Sequence, residues 1–209
     1  MSCLRRHVYR FFCLNRGAFP AFFCWLPIFA LCACVHTPLR LDRIPAATYK
    51  LSALADKDIW LEVHDPHSSA EKDNLLPLGH QYLFVVVPFG RISAVDPLQA
   101  LFVKSAWLLS ERGYRAHAVR EKHSGAPLIK LKLQTFSASG YDMLFARKVT
   151  CSLELQAEIQ LASGLDTRSA RAQGESSALR PYAFQEELEY HCEKALELAL
   201  RRLFDYLHL

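Results

Sequence analysis

From residue 149 to residue 161 the chain alternates without a break. Val149, Cys151, Leu153, Leu155, Ala157, Ile159 and Leu161 fall on one side; Thr150, Ser152, Glu154, Gln156, Glu158 and Gln160 fall on the other. A strand sends successive side chains to opposite faces, so this segment needs one face against a core and the other in water. Residues 128–135 repeat the pattern, with Ile129, Leu131 and Leu133 opposed to Lys130, Lys132 and Gln134. Strands with one wet face predict an antiparallel sheet. Setting Ile129 against Leu155 and Leu133 against Cys151 centres the turn between them near Asp142. Its tip then reads Gly140-Tyr141-Asp142-Met143-Leu144-Phe145. A solvated tip is usually polar, so Tyr141, Met143, Leu144 and Phe145 form a candidate partner contact. The alternative is longer strands, with Leu144 and Phe145 packed on the body.

The remaining elements follow from punctuation and periodicity. Residues 59–63 make a short strand. Residues 80–89, HQYLFVVVPF, make a buried strand of aromatic and β-branched residues, closed by Pro88 and Gly90. A helix follows, with Asp96 as cap, Pro97 in its first position, Gln99 closing a capping box and Gly113 just past its end. Residues 114–119 form a strand, and 167–173 form an edge strand marked by Arg168 and Arg171. The closing helix spans 181–207, with Leu188, Cys192, Ala195, Ala199 and Leu203 on one face. Glu186, Glu187 and Glu189 near its start, and Arg201 and Arg202 near its end, complement the helix dipole. The order β, β, α, β, β, β, β, α predicts an α+β two-layer sandwich, an antiparallel sheet with both helices on one face.

The amino-terminal segment has a different character. Arg5, Arg6, Arg10 and Arg16 precede an apolar run over 18–33, AFPAFFCWLPIFALCA, which is short for a membrane span. The chain has 25 Lys and Arg against 21 Asp and Glu. Those four arginines have no acidic counterpart in 1–33, so the rest of the chain is balanced, with 21 basic and 21 acidic residues. A neutral body without a basic stripe excludes a nucleic-acid partner. The apolar run ends in Leu31-Cys32-Ala33-Cys34, which resembles the lipobox of bacterial lipoproteins. The resemblance implies signal peptidase recognition at Leu31 and Ala33, cleavage before Cys34, and lipid on the Cys34 sulfur. The boundaries are then a signal peptide over 1–33, a lipidated cysteine and extended tether over 34–57, and a folded domain over 58–209. Pro38 and Pro45 support the tether reading. Of the seven cysteines, only Cys151 and Cys192 then remain unmodified. They form a candidate disulfide between the long alternating strand and the closing helix; two buried thiols are the alternative.

No GxGxxG, P-loop, GxSxG or HExxH occurs in the chain. Ser69-Ala-Glu-Lys72 matches SxxK without its partner motifs. His64 and His67 frame a turn, and Glu154 and Glu158 share a polar strand face. Each reads as solvated surface, so no catalytic residue, metal site or cofactor is expected.

A helix ending Leu108-Leu109-Ser110-Glu111-Arg112-Gly113-Tyr114, then Leu131-Lys132-Leu133-Gln134-Thr135-Phe136, a long alternating strand to Gly164 and a final amphipathic helix resemble a known group. They are similar to YajG-type bacterial lipoproteins and to auxiliary lipoproteins of ABC-type intermembrane transport systems, over residues 80–207. The resemblance implies a periplasmic α+β domain, shaped like the amino-terminal domain of TolB, that serves as an accessory or assembly factor without catalysis. Membrane attachment through the lipid and an envelope protein partner follow from it. Val35 after the cysteine, in place of an aspartate retention signal, implies the outer membrane rather than the inner. Two other readings stay open: a lipid- or glycolipid-handling subunit with a helix–sheet groove, and a hydrolase with a site near His64, His67 or His117.

Overall fold

A computed structural model describes residues 35–41, 57–64, 75–83, 87–119, 126–143, 146–161, 167–180 and 184–209. Among these residues there are two helices and one sheet of eight strands, an α+β architecture. In chain order the strands are β1 Val35–Arg40, β2 Lys57–His64, β3 Leu75–Leu83, β4 Val87–Val95, β5 Tyr114–Ala118, β6 Leu128–Asp142, β7 Arg147–Gln160 and β8 Thr167–Arg180. The helices are α1 Pro97–Glu111, between β4 and β5, and α2 Phe184–Tyr206 after β8.

Strand β6 is the spine. One edge pairs along its length with antiparallel β7, which pairs antiparallel with β8. The other edge is shared. Parallel β2 takes Leu128 to Lys132, and parallel β3 takes Gly140 to Asp142. Beyond β2 lies parallel β5; beyond β3 lie antiparallel β4 and then parallel β1. The sheet is therefore mixed, not antiparallel. Alternation reports one wet face and is blind to strand direction, and the chain between parallel β2 and β5, which includes β3, β4 and α1, is the long connection a parallel pair needs.

Three further expectations change. The single strand over 80–89 is part of a hairpin, with Leu83 opposite Val87. A continuous apolar run does not show where it reverses, because both arms of the hairpin want the same residues. Residues 35–40 belong to the sheet although they fall in the expected tether. His36, Pro38 and Arg40 are exposed while Thr37, Leu39 and Leu41 are buried, an alternation that Pro38 disguised. Among the described residues β1 pairs only with β4, and an edge strand is where proline is tolerated. The β6–β7 register also differs: Ile129 faces Ile159 and Leu133 faces Leu155, with an irregularity between Leu133 and Thr135. That register lengthens both strands and moves the turn beyond Asp142, where the Met143 N–H donates to the Ala146 carbonyl at 2.8 Å.

Asp96 does precede α1, but in a left-handed conformation with no side-chain capping bond. The expected capping box with Gln99 is therefore absent. The α1 carboxyl end is tied instead: the Gly113 N–H donates to the Ser110 carbonyl, and Arg112 donates to the Leu209 carbonyl at 3.1 Å and pairs with Asp205 at 2.5 Å. The Arg112 side chain thus links the end of α1 to the last residue of the chain and to Asp205 in the last turn of α2.

The core lies between the inner sheet face and the helices. Leu188, Cys192, Ala195, Ala199, Leu203 and Phe204 of α2 are fully buried with Ile129, Leu131, Leu155 and Ala157. Small residues at 195 and 199 let α2 approach the sheet at Gly174, where a Cβ would stand 1.8 Å from the Ala195 carbonyl oxygen.

Candidate functional site

Leu31, Ala33 and Cys34 lie outside the described residues, as do Leu144 and Phe145 of the expected tip. Tyr141 is an ordinary strand residue of β6. It pairs with Tyr82 on one side and Lys148 on the other, and its ring stacks on that of Tyr82 with centroids 5.1 Å apart. Lys148 pairs with Leu179 of β8. One cross-strand row thus presents Tyr82, Tyr141, Lys148 and Leu179 on the outer sheet face. Leu179 is 62% exposed, and Met143, one step further out, is 43% exposed. Arg147 donates to Asp142 at 2.7 Å, closing this end of the β6–β7 hairpin.

Cys151 and Cys192 are brought into side-chain contact as free, buried thiols. Burial, followed by the neighbouring thiol and the Glu189 and Glu193 carboxylates, pushes the Cys192 thiol well above its usual range. A thiol held neutral is a poor nucleophile.

Of the histidines singled out in the sequence, His117 lies on the edge strand β5 and His64 at the end of β2. His117 contacts Asp58 at 2.8 Å across β5 and β2, and that hydrogen bond holds the Asp58 carboxyl below its usual value. His64 contacts Glu62 at 2.8 Å; His67 lies outside the described residues. Glu158 faces Lys130, so the polar face of β7 is matched in charge as well as solvated.

Sequence reasoning missed two arrangements. The first is Ser176–His191–Glu187: Ser176 Oγ lies 2.7 Å from His191 Nδ1, and Glu187 lies 3.5 Å from His191 Nε2. The order nucleophile, imidazole, carboxylate has the form of a hydrolytic triad. However, Ser176 and His191 are 8% and 6% exposed, enclosed between β8 and α2. The arrangement satisfies buried polar atoms where a helix crosses a strand, and no described cleft opens onto it.

The second is a half-open groove of about 270 Å³ between the helices, lined by Lys104, Tyr190, Glu193, Lys194, Glu197, Leu198 and Arg201. Lys104 is buried and pairs with Glu193 at 3.6 Å. Its ammonium stands 5.5 Å from the Trp107 ring centroid, and the Arg201 guanidinium stands 5.8 Å from the same ring. The signal was available: Lys104 occupies the apolar stripe of α1, between Leu101 and Leu108. Charges of both signs line the groove beside the apolar surface of Tyr190 and Leu198. Removing one member of a buried pair strands the other. Lys104→Met is therefore expected to destabilise the fold by about 3 kcal/mol, and Lys104→Met with Glu193→Leu to recover most of that loss. Urea denaturation of the four proteins of the cycle measures it; equal stability of Lys104→Met and the parent chain would remove the pair from the account.

No family model and no curated protein matches this chain. Solved structures with a similar course of chain include an uncharacterized protein at 13% identity, covering 83% of this chain and 99% of that one, with a TM-score of 0.45. A DUF330 protein from Xanthomonas campestris matches at 10% identity over 83% of this chain and 94% of its own, with a TM-score of 0.43. The rare lipoprotein B of Shewanella oneidensis matches at 10% identity over 71% of this chain and 93% of its own, with a TM-score of 0.38.

Proposed function

We propose that this protein is a lipid-anchored, non-catalytic interaction module of the bacterial envelope, facing the periplasm. The observation that supports it most is that the residue after Cys34, Val35, is already paired with Gly90 in the sheet. Strand β1 starts at Val35, the residue after Cys34, and buries Leu39 and Leu41. Cleavage before Cys34 would remove the arginine-rich apolar leader and spare every described strand. No described helix is long and apolar enough to cross a membrane; the lipobox-like Leu31-Cys32-Ala33-Cys34 is what points to attachment through lipid. One acyl chain binds marginally, whereas two or three hold a protein on a bilayer.

The test is growth with a clickable fatty-acid analogue, followed by fractionation. The parent chain is expected to carry label and to sediment with outer membranes. Cys34→Ser is expected to lose the label entirely; undiminished labelling in that variant would defeat the proposal. Crosslinking in intact cells then identifies the envelope partner that the reading requires.

An envelope location also bears on Cys151 and Cys192. In an oxidising compartment the adjacent thiols give up two electrons and two protons to an acceptor disulfide and join. The bond closes a loop of about 40 residues, worth about 2–4 kcal/mol. Alkylation of the unfolded protein without reductant, followed by mass measurement, decides the point. No modification at either cysteine is expected, and two modified cysteines would rule the bond out.

A further inference from the structure

We infer that the sheet end carrying Tyr82, Tyr141, Met143, Lys148 and Leu179 rests on the bilayer to which Cys34 attaches. The inference rests on the proposed anchor and specifies what the anchor does to the domain.

Register places these residues together. Val35 pairs with Gly90, Gly90 with Gln81, Gln81 with Gly140, Gly140 with Val149, and Val149 with Ala178. This is one continuous row across six strands. Residue 34 precedes Val35, and β1 runs away from it. The next row toward residue 34 contains Tyr82, Tyr141, Lys148 and Leu179, and Met143 lies beyond Asp142 on the same side. The lipidation site and these side chains therefore belong to one end of the sheet.

Chain length keeps this end of the sheet near the bilayer. One residue spans at most about 3.6 Å, so no slack separates the Cys34 backbone from the sheet. The headgroup layer is roughly 5–8 Å deep. With the Cys34 acyl chains in the leaflet, the β1 edge of this end is held at the headgroups, and the side chains along the row decide whether the rest of the end lies down on them. Without the long free tether over 34–57, the domain cannot stand away from the surface.

The chemistry of that end suits the same occupant. Tyrosine prefers the membrane interface, where an apolar ring and a polar hydroxyl are both accommodated. Leu179 and Met143 offer exposed apolar side chains. The outermost row pairs Asp142 with Arg147 and Arg147 with Arg180. Asp142 is ion-paired with Arg147 and Lys148 is exposed, so this end has a basic surplus that complements anionic lipid. The opposite end differs. Helix α2 runs from His191 at Ser176 toward Arg202 at Gln173, away from Arg180, and carries Tyr206 at its far end, 63% exposed.

The test uses the full chain, purified with its native lipid and reconstituted into vesicles of phosphatidylethanolamine and phosphatidylglycerol. Two variants carry Met143→Cys or Tyr206→Cys. Because Cys151 and Cys192 are buried, a membrane-impermeant maleimide reads the introduced thiol. Modification at 143 is expected to be roughly tenfold slower than at 206, as for a group sunk in the headgroup layer. Adding Lys148→Glu and Leu179→Asp is expected to abolish the difference. Mass measurement of the same samples reports the acyl chains. Equal rates at 143 and 206 with acyl chains present overturn the docking and leave the anchor standing. Absence of acyl chains overturns the anchor, and the docking with it. Protection at 143 in intact cells but not in vesicles shows a protein covering this end, and overturns the inference as well.

Discussion

Substitution of Gly174 by alanine is expected to lower the melting temperature by roughly 10 °C, the equivalent of about 3 kcal/mol in a domain of this size. Gly174 faces inward on β8, opposite Leu153. A methyl there would stand 1.8 Å from the Ala195 carbonyl oxygen, 2.8 Å from its carbon and 3.0 Å from the Ala199 Cβ. The first two atoms are helix backbone, which cannot rotate aside as a side chain does. Helix α2 must lift, and the contacts around Cys192, Ala195 and Ala199 open together. Gln173→Ala, at the exposed neighbouring position, is the control and is expected to stay within about 0.5 kcal/mol. Circular dichroism melting of both variants reads the effect. A Gly174→Ala protein that melts with the parent would mean that α2 does not sit on β8 as described.

Phe204→Ala is expected to cost about 3–5 kcal/mol, from lost apolar burial and the cavity left behind. Phe204 is among the largest fully buried side chains, and the Arg112 guanidinium stands 5.6 Å from its ring centroid. The ring therefore supports the Arg112 contacts that join the ends of α1 and α2, and both helices should loosen at once. Phe204→Leu keeps most of the volume and is expected to lose under half as much. Urea unfolding midpoints at constant slope provide the comparison. Equal midpoints for Phe204→Ala and the parent would place the ring outside the core.

The sequence alone determined the α+β class, the two helices within a few residues, and the burial of one face of β6 and β7. These features are local: a period of two or of 3.6, a proline in a first turn and a glycine past a last one are written in neighbouring residues. It also marked residue 34 as a candidate anchor, because a lipobox is read from contiguous residues.

What the sequence could not decide was every relation between distant segments. Strand direction was hidden, since β2 and β3 share one edge of β6 as parallel strands although alternation looks the same in either direction. The hairpin inside an apolar run was hidden because both of its arms face the same core. Residues 35–40 passed for a tether because a proline argues against a strand, and only the sheet shows that β1 is an edge, where Pro38 is tolerated. The row of Tyr82, Tyr141, Lys148 and Leu179 comes from three separate stretches of chain, and no spacing rule joins them. The same holds for Ser176 and His191, and for Lys104 and Glu193, whose meaning depends on burial. Local pattern fixes what each segment can be; the choice of neighbours depends on excluded volume and buried polar satisfaction, which exist only once the chain has closed on itself.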